Sequence, residues 1–295
     1  MRMLVIGHTV EDHVYLNGED IIKPGGIFYT ALGLKNFIDK EDTVSLNTFV
    51  QKENYYLFAG VYEGMGKDYL KYVERIPKVY LTLHDFKERG ETYESVSQNL
   101  DIDIKDLNSF DGILLNMITG FDITLNQLKE IRHVYNGFIF MDVHTLSRGL
   151  DENLKRNFRP VPNVDEWLSS VDILQANVNE LKTLSNKRDE KDAAEEILRY
   201  GVKIFILTKG EIGAKVYMLD NNEIISIFKS SIKIENKNML GCGDIFGAVF
   251  FYTYIKTKDL CKSLELANTA AGYTASYENL NAFNDLKKDV FTRYN

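Results

Sequence analysis

The sequence predicts an α/β protein whose central sheet is mostly parallel and is covered by helices on both faces. Short runs rich in β-branched and aromatic residues alternate along the chain with longer helical stretches, as in successive strand and helix units. With 295 residues, 44% of them hydrophobic, the chain can bury one large core. It has four prolines, no evident repeat and no low-complexity segment, so we expect one main domain over residues 1–295.

Six short runs are the predicted strands of this sheet. In chain order they are LVIG at 4–7, VSLNTFV at 44–50, GILLN at 112–116, GFIFMDV at 137–143, VDIL at 171–174 and KIFILT at 203–208. Their apolar character is typical of strands buried on both faces of a parallel sheet. The opening segment MRMLVIGHTV is too short an apolar run for a signal sequence or a membrane span, so we interpret it as a buried first strand.

Two segments depart from this alternation. Residues 13–23 contain Asn17-Gly18 between strand-like runs, a dipeptide that suits a tight hairpin turn with positive φ. Residues 78–96 are typical of two strands about a polar turn. We expect these lid segments, about 13–24 and 78–97, to form a small β lid over one edge of the main domain. Surface hairpins without that role are the alternative.

Charge and cysteine content argue against several classes of protein. The chain has 35 basic and 43 acidic residues and a formal net charge of -8, which does not suit a surface for nucleic acid or anionic lipid. Cys242 and Cys261 lack companions at metal-binding spacing, which argues against a disulfide framework or a structural zinc site. We expect a reducing, cytoplasmic environment and neither a nucleic-acid nor a membrane partner.

The stretch at 238–256, NMLGCGDIFGAVFFYTYIK, carries the strongest chemical signal. Apolar side chains at helical spacing after Asp244 predict a largely buried helix. Gly241 and Gly243 let the backbone at its N-terminus approach a ligand, where free N–H groups and the helix dipole attract phosphate charge. A carboxylate beside such a turn can accept the proton of a hydroxyl that attacks a γ-phosphate. An aspartate in a first helical turn is also a common cap, so neighbouring motifs must decide.

The segment resembles the second signature of the ribokinase-like (PfkB) carbohydrate kinases, usually written DTTGAGD, through Gly241, Gly243 and Asp244. The resemblance implies a three-layer α/β/α fold, Asp244 as the catalytic base, and an anion hole formed by the amides of Gly241, Cys242 and Gly243. Cys242 stands where alanine is usual. Residues 238–240, Asn-Met-Leu, replace the customary aspartate and two threonines. Neither a P-loop pattern nor a GxGxxG after the first strand is present.

On the acceptor side, the resemblance implies substrate binding by residues near the N-terminus. Asp12 lies five residues after Gly7, at the family's spacing for an aspartate that binds substrate hydroxyls, although alone it is typical of a turn. Gly25 and Gly26 resemble the first GG signature, and a turn entering a helix is the simpler interpretation. Thr30 stands where many members carry asparagine, so an acceptor other than ribose is expected.

A further acceptor-side candidate is Arg148, in MDVHTLSRG. With Asp142 it resembles the family's strand-end DxNxR segment, with His144 in place of the asparagine. A guanidinium suits oxyanions of substrate or phosphate, and it equally suits a nearby carboxylate.

On the donor side, Asn177 and Glu180 in LQANVNEL match the family's NxxE motif, which implies nucleotide contact by Asn177 and magnesium placement by Glu180. The local interpretation is a helix N-cap with its capping-box partner, and both can hold together. The remaining nucleotide candidates are Thr208, Gly210 and Gly213 in the TxGxxG turn, and Asn268 near the adenine pocket. A hairpin loop and a helix-packing position are the alternatives for these.

These features predict an ATP-dependent kinase that phosphorylates a hydroxyl of a sugar or sugar-like polyol, with ATP and Mg²⁺ at the carboxyl ends of the parallel strands. The family also includes nucleoside and cofactor-precursor kinases, and the aromatic Phe28 and Tyr29 would suit such a ring if they do not simply pack in the core. A catalytically weak nucleotide- or metabolite-binding relative is the third hypothesis. A homodimer paired through the lids and a monovalent-cation requirement are implications that the sequence leaves open.

Overall fold

The computed structural model describes residues 1–16, 19–82, 90–94, 98–233 and 240–294. Over these residues the chain forms a nine-stranded central sheet, a separate four-stranded sheet and a two-stranded hairpin, together with α-helices. The predicted turn at Asn17-Gly18, parts of the second predicted hairpin (83–89 and 95–97), and the motif residues Asn238 and Met239 lie outside the described residues.

The elements follow the chain in a regular order. The strands are β1 (Arg2–Ile6), β2 (Thr9–Leu16), β3 (Glu19–Gly26), β4 (Thr43–Gln51), β5 (Leu70–Val73), β6 (Lys78–Thr82), β7 (Gly90–Tyr93), β8 (Gly112–Asn116), β9 (Phe138–Asp142), β10 (Arg148–Leu150), β11 (Arg156–Phe158), β12 (Ile173–Asn177), β13 (Ile204–Thr208), β14 (Gly213–Asp220) and β15 (Glu223–Ser230). The helices are α1 (Phe28–Phe37), α2 (Tyr56–Tyr62), α3 (Leu125–Val134), α4 (Val164–Leu168), α5 (Val178–Leu184), α6 (Glu190–Arg199), α7 (Cys242–Thr257), α8 (Leu260–Ser276) and α9 (Leu286–Tyr294). Short 3₁₀ turns span Leu107–Ser109, His144–Ser147, Gly210–Ile212 and Leu280–Asp285.

The central sheet has the strand order β15-β14-β13-β12-β9-β8-β1-β4-β5. Neighbours from β13 to β5 pair in parallel, and β14 and β15 are added antiparallel at one edge. The six predicted strands are β1, β4, β8, β9, β12 and β13, so the mostly parallel α/β architecture is confirmed. Strand β12 begins at Ile173 rather than at residue 171, and the carboxylate of Asp172 just before it accepts a hydrogen bond from the amide of Ile139 at 2.8 Å.

Helices cover both faces of this sheet. Side chains alternate along β1, where Met3 and Val5 belong to one hydrophobic cluster and Leu4 and Ile6 to another. The first cluster includes side chains of α1, α7, α8 and α9, and the second includes side chains of α3, α4, α5 and α6. The alternation therefore places the two helical layers on opposite faces, as the prediction of a three-layer fold requires.

Helix α7 is deeply embedded in the protein. Every residue from Ile245 to Thr253 is buried, as its sequence predicts. It packs closely against α1: a side-chain carbon added at Gly33 of α1 would lie 3.4 Å from the Cβ of Ala248 in α7. Helix α7 has 16 residues. Neither it nor any other helix in the described part of the chain is long and apolar enough to cross a membrane.

A second sheet, with the order β3-β2-β6-β7, stands beside the central one. Strands β2 and β3 form one antiparallel hairpin, β6 and β7 pair antiparallel, and β2 joins β6 in parallel. The two predicted hairpins thus form one sheet, and the first of them starts at Thr9, four residues before the predicted boundary. The β10–β11 hairpin, which the sequence did not indicate, touches this sheet through a bridge between Thr92 and Lys155.

Replacement of Phe251 by alanine should be strongly destabilising. Phe251 is fully buried, its ring lies 5.3 Å from that of Phe140, and a side-chain carbon at Gly112 would be only 2.8 Å from it. Denaturant titration should show an unfolding free energy lowered by about 3–5 kcal/mol, because the cavity cannot be refilled. Tyr56→Ala, at a side chain 71% exposed, is the matched control and should change it by about 0.5 kcal/mol or less. A similar small loss for Phe251→Ala would contradict this packing.

Candidate active site

The predicted site residues gather where the carboxyl ends of the parallel strands meet the start of α7. In open α/β sheets this edge is the usual location for ligands. Gly241 caps the helix with φ +75°, a left-handed conformation that favours glycine. A side-chain carbon at Gly241 would also lie 2.3 Å from the ring of Tyr29. Both constraints explain why the chain turns into α7 through a glycine.

The first turn of α7 separates two cavities. The larger, of about 740 Å³, is lined by Cys242 and Gly243. The smaller, of about 30 Å³, is lined by Gly241 and Asp244. The amides at the start of an α-helix have no acceptor within the helix, so this turn presents hydrogen-bond donors between the two cavities.

The carboxylate of Asp244 is held by a neighbour on the sheet. Its Oδ1 accepts a hydrogen bond from Nδ2 of Asn116 at 2.8 Å, and the same amide donates to Oγ1 of Thr30 at 3.0 Å. Asn116 is the last residue of β8, and sequence analysis gave it no role. It connects the predicted catalytic base to a predicted acceptor-side residue.

The smaller cavity is covered by the four-stranded sheet. Asp12 of β2, Val79 and Leu81 of β6, and Glu91 and Tyr93 of β7 line it from that side. Because these strands close over Asp244, the lid prediction has a geometric basis, although its role as a moving lid stays a prediction. With about 30 Å³, the cavity would have to widen before a sugar could enter.

The structure brings some acceptor-side candidates to this cavity and leaves others behind it. Asp12 and Gly26 line it, and Gly25 leaves room for the carboxylate of Asp12, since a side-chain carbon there would lie 2.3 Å from that carboxylate. Thr30 is fully buried and meets Asn116 behind the cavity wall. Arg148 does not line the cavity: its guanidinium donates to Glu91 at 3.0 Å and stacks over Phe158.

The two aromatic residues considered for a ring-shaped acceptor have different positions. Phe28 packs in the core against Phe58 and Tyr62, whereas Tyr29 lines the smaller cavity. His144, which stands where the family pattern has asparagine, also lines that cavity and has φ +36°. A positive φ at a residue other than glycine is strained and is often found at ligand sites.

The five predicted nucleotide-binding residues line one cavity, the larger one. They are Asn177, Thr208, Gly210, Gly213 and Asn268. They come from β12, from the β13–β14 connection and from α8, so only the folded chain brings them together. The hairpin loop expected as an alternative is present, since the turn at 210–212 joins the antiparallel strands β13 and β14. Asn268 also has a packing role, since its side-chain amide donates to the carbonyl of Lys229 at 2.9 Å.

Part of the lining of the larger cavity is apolar. Ile232, Phe246, Ala271, Gly272 and Ala275 contribute to its lining. At Gly272, a side-chain carbon would lie 2.1 Å from Cγ1 of Ile232, so the glycine keeps α8 close to that residue. An apolar lining of this kind suits a nucleobase. None of these residues was itself a predicted site residue, although Phe246 lies in the stretch at 238–256 and the small residues of α8 lie near Asn268.

Glu180 and Asn177 form a capping box at the start of α5. Asn177 Oδ1 accepts from the amide of Glu180 at 3.0 Å, and a carboxylate oxygen of Glu180 accepts from the amide of Asn177 at 2.8 Å. Glu180 is buried, and with Asp244 it contributes negative charge around the buried Asp142. Burial and those two charges raise the pKa of Asp142 well above its usual value.

A cation would fit this surplus of negative charge. The described residues contain no cluster of three or more side chains that could hold a metal ion unaided. Mg²⁺, however, is commonly bound through one or two carboxylates together with substrate phosphates and water. The carboxylates of Glu180 and Asp142 are the groups that could help to bind a magnesium ion that enters with a phosphate ligand.

The thiol of Cys242 stays neutral in this environment. Burial, reinforced by the nearby Asp244 carboxylate, raises its pKa to about 12. A neutral thiol adds no negative charge beside the first-turn amides, so the replacement of the usual alanine is compatible with anion binding.

Three comparisons relate the chain to known proteins. Residues 144–286 match the model of the pfkB family carbohydrate kinases. A search of curated proteins finds no match. Solved structures of the same fold extend over nearly the whole chain.

Three of these structures illustrate the similarity. The ribokinase of Thermotoga maritima is 17% identical with a TM-score of 0.73, covering 99% of this chain and 98% of that one. The ribokinase of Arabidopsis thaliana, complexed with ribose and ATP, is 17% identical with a TM-score of 0.75, covering 99% and 97%. A sulfate complex of a pyrophosphate-dependent kinase in the ribokinase family is 17% identical with a TM-score of 0.76, covering 96% and 99%.

The strand order and the solved structures together show a ribokinase-like fold over nearly the whole chain. Within it, residues 144–286 are similar to the PfkB family of carbohydrate kinases, the family that the motifs resemble.

The two cysteines should differ in reactivity. At pH 8, a group with a pKa of about 12 is ionised in roughly one molecule in 10⁴, so Cys242 should resist alkylation by iodoacetamide. Cys261 is exposed and serves as the internal control that should be alkylated. Peptide mass spectrometry after timed labelling of the native protein measures both. Rapid labelling of Cys242 in the folded protein would contradict the raised pKa of its thiol beside Asp244.

Proposed function

We propose that this protein transfers the terminal phosphoryl group of ATP to a hydroxyl of a sugar or sugar-like polyol. The observation that carries the proposal is the position of α7's first turn between the two cavities. Asp244 faces the smaller cavity, and Cys242 and Gly243 face the larger one. A donor phosphate and an acceptor hydroxyl bound in these cavities would meet at that turn.

In this proposal, Asp244 accepts the proton of the attacking hydroxyl. The hydroxyl oxygen then forms its bond to the terminal phosphorus while the bond to the leaving oxygen of ADP breaks in line. The first-turn amides at Gly241, Cys242 and Gly243 donate to the equatorial phosphoryl oxygens, where negative charge is concentrated. The helix dipole of α7 acts in the same direction.

Magnesium has a supporting place in the proposal. Bound with the donor phosphates and assisted by Glu180 near Asp142, it would neutralise phosphate charge. The capping box with Asn177 fixes the direction of the Glu180 carboxylate, so the NxxE motif acts both as a helix cap and as a magnesium-side element.

The size and lining of the larger cavity support a nucleotide as the donor. A volume of about 740 Å³ lies within the range of small-molecule sites. Pyrophosphate, the donor named for several of the solved structures, would use only the part next to α7. The apolar wall at Ile232, Ala271 and Gly272 would then have no ligand to contact.

The acceptor in this proposal lies between Asp244 and the four-stranded sheet. Carboxylates such as Asp12 and Asp244 accept hydrogen bonds from hydroxyls, and Tyr29 and Tyr93 offer surfaces for the apolar face of a sugar. Closure of the sheet over the acceptor would exclude water that could otherwise hydrolyse ATP. Because Tyr29 lines the cavity, a nucleoside or cofactor precursor is the second candidate acceptor.

A homodimer in the cytoplasm completes the proposal. The outer side of the lid exposes Tyr15 (71%), Ile22 (43%) and Tyr80 (42%), which suits pairing with a second lid. The two cysteines, neither in a disulfide, suit a reducing compartment.

Turnover with a panel of donors and acceptors tests the function. The protein is incubated with Mg²⁺, with either ATP or pyrophosphate, and with sugars, polyols and nucleosides, and the release of ADP or phosphate is measured. We expect acceptor-dependent release of ADP from ATP. In Asp244→Asn, kcat should fall roughly 10²- to 10⁴-fold, because the base is lost, while the thermal shift caused by ATP is retained.

Asp192→Asn is the matched control. Asp192 is an exposed aspartate in the first turn of α6, so the same change there should leave turnover unaltered. Near-normal turnover of Asp244→Asn would contradict its role as the base. Turnover with pyrophosphate alone would contradict the donor assignment. A thermal shift with ATP but no turnover of any acceptor would favour a nucleotide-binding protein without catalysis.

A further inference from the structure

Three polar residues form a row across neighbouring strands at the carboxyl end of the sheet. Asn116 of β8 is in register with Asp142 of β9, and Asp142 is in register with Gln175 of β12. Register partners on adjacent parallel strands point to the same face of the sheet. Here they point to the start of α7, as the hydrogen bonds of Asn116 and Gln175 show.

The two amides of this row hold two different parts of the first turn of α7. Nδ2 of Asn116 donates to the carboxylate of Asp244 at 2.8 Å. Nε2 of Gln175 donates to the backbone carbonyl of Gly243 at 3.1 Å and to Oδ2 of Asp142 at 3.1 Å. One amide therefore orients the side chain of the proposed base, and the other fixes the backbone of the proposed anion hole.

This arrangement leaves polar atoms without partners. Asn116 is 1% exposed and Gln175 is 3% exposed. Within the described part of the chain, Oδ1 of Asn116 and Oε1 of Gln175 are buried and accept no hydrogen bond. A buried acceptor without a partner is destabilising, so packing alone does not account for two amides in this row.

The hydrogen bond from Asn116 also keeps Asp244 away from its own helix. An aspartate in a first turn readily folds back to accept hydrogen bonds from the free amides there. Asn116 instead directs Oδ1 of Asp244 to the sheet, beside the smaller cavity. The carboxylate of Asp244 then does not compete with an anion that binds at the start of α7.

We propose that Asn116 is a positioning residue, which aims the carboxylate of Asp244 at the acceptor and holds it off the anion-binding amides. The proposal rests on the proposed function, because it assigns Asn116 a role through Asp244. Thr30 belongs to the same unit, since its Oγ1 accepts the second hydrogen bond of the Asn116 amide at 3.0 Å. Gln175 supports the unit from the other side by holding the carbonyl of Gly243.

Substitution of Asn116 should slow the chemical step more than it weakens binding. In Asn116→Ala, kcat should fall roughly 10- to 100-fold, since a small misplacement of a reacting group has an effect of this size, and the KM values for donor and acceptor should change little. Asn116→Leu, which nearly keeps the size of the side chain but removes both donors without adding a charge beside Asp244, should behave in the same way. It provides a second folded variant if the alanine leaves the protein unstable.

Asn47→Ala is the matched control. Asn47 lies in β4, is 3% exposed, and donates from Nδ2 to the carbonyl of Asp101 at 3.1 Å, and it lines neither cavity. It should lose stability without the selective fall in kcat. An equal fall in Asn47→Ala, or a rise in KM with kcat unchanged in the Asn116 variants, would overturn the proposal.

A double-substitution cycle in urea tests the contact without any substrate. The shifts of the unfolding midpoint in Asn116→Ala and Asp244→Ala should not sum to the shift in the double variant, because each single change removes the same hydrogen bond. Additive shifts would overturn the contact and with it the inference. A wild-type protein that turns over no acceptor would contradict the proposed function instead, and the cycle would still decide whether Asn116 holds Asp244.

Discussion

The attachment of the first turn of α7 to the carboxyl edge of the sheet is the constraint on which the rest of the site depends. Gly241 supplies the left-handed turn, burial of Ile245 to Thr253 fixes the helix axis, and hydrogen bonds from Asn116 and Gln175 fix its first residues. A helix start held in this way presents amides in one direction and a carboxylate in another. The two cavities follow from that division.

Such a site is assembled at some cost to stability. It includes two buried amide oxygens with no partner in the described residues, and the buried carboxyl of Asp142 beside the negative charges of Glu180 and Asp244. Each would be destabilising in an ordinary core. The close packing of α7 offsets this loss of stability. Its aromatic contacts include that between the rings of Phe251 and Phe140, whose centroids lie 5.3 Å apart. Local conflicts of this kind are expected at functional sites and rare elsewhere.

Most of the fold could be predicted from local patterns. Continuous apolar runs located six strands of the central sheet, and helical periodicity after Asp244 located α7, because both signals come from residues close in sequence. The capping box at Asn177 and Glu180 and the β13–β14 hairpin were equally local. The lid hairpins were also indicated, but their union into one sheet through β2 and β6 was not, since that pairing joins distant segments.

The parts of the site that sequence did not indicate depend on contacts between distant segments. Asn116 and Gln175 end or interrupt apolar strands and carry no motif, and only the register across β8, β9 and β12 gives them a role. Arg148 was a substrate candidate because guanidinium groups suit oxyanions, yet the fold brings Glu91, from the second sheet, to within 3.0 Å of it. Phe28 and Tyr29 are neighbours in sequence, and the direction of α1 alone decides that one joins the core and the other the cavity.

A crystal structure with Mg²⁺, a non-hydrolysable ATP analogue and an acceptor from the panel tests the central claim most directly. The account predicts that the terminal phosphate lies within hydrogen-bond distance of the amides at 241–243. It also predicts that the adenine ring of the analogue lies near Ile232 and Gly272. It also predicts an acceptor hydroxyl between that phosphate and the carboxylate of Asp244. A terminal phosphate bound away from the first turn of α7, or an acceptor remote from Asp244, would contradict the account.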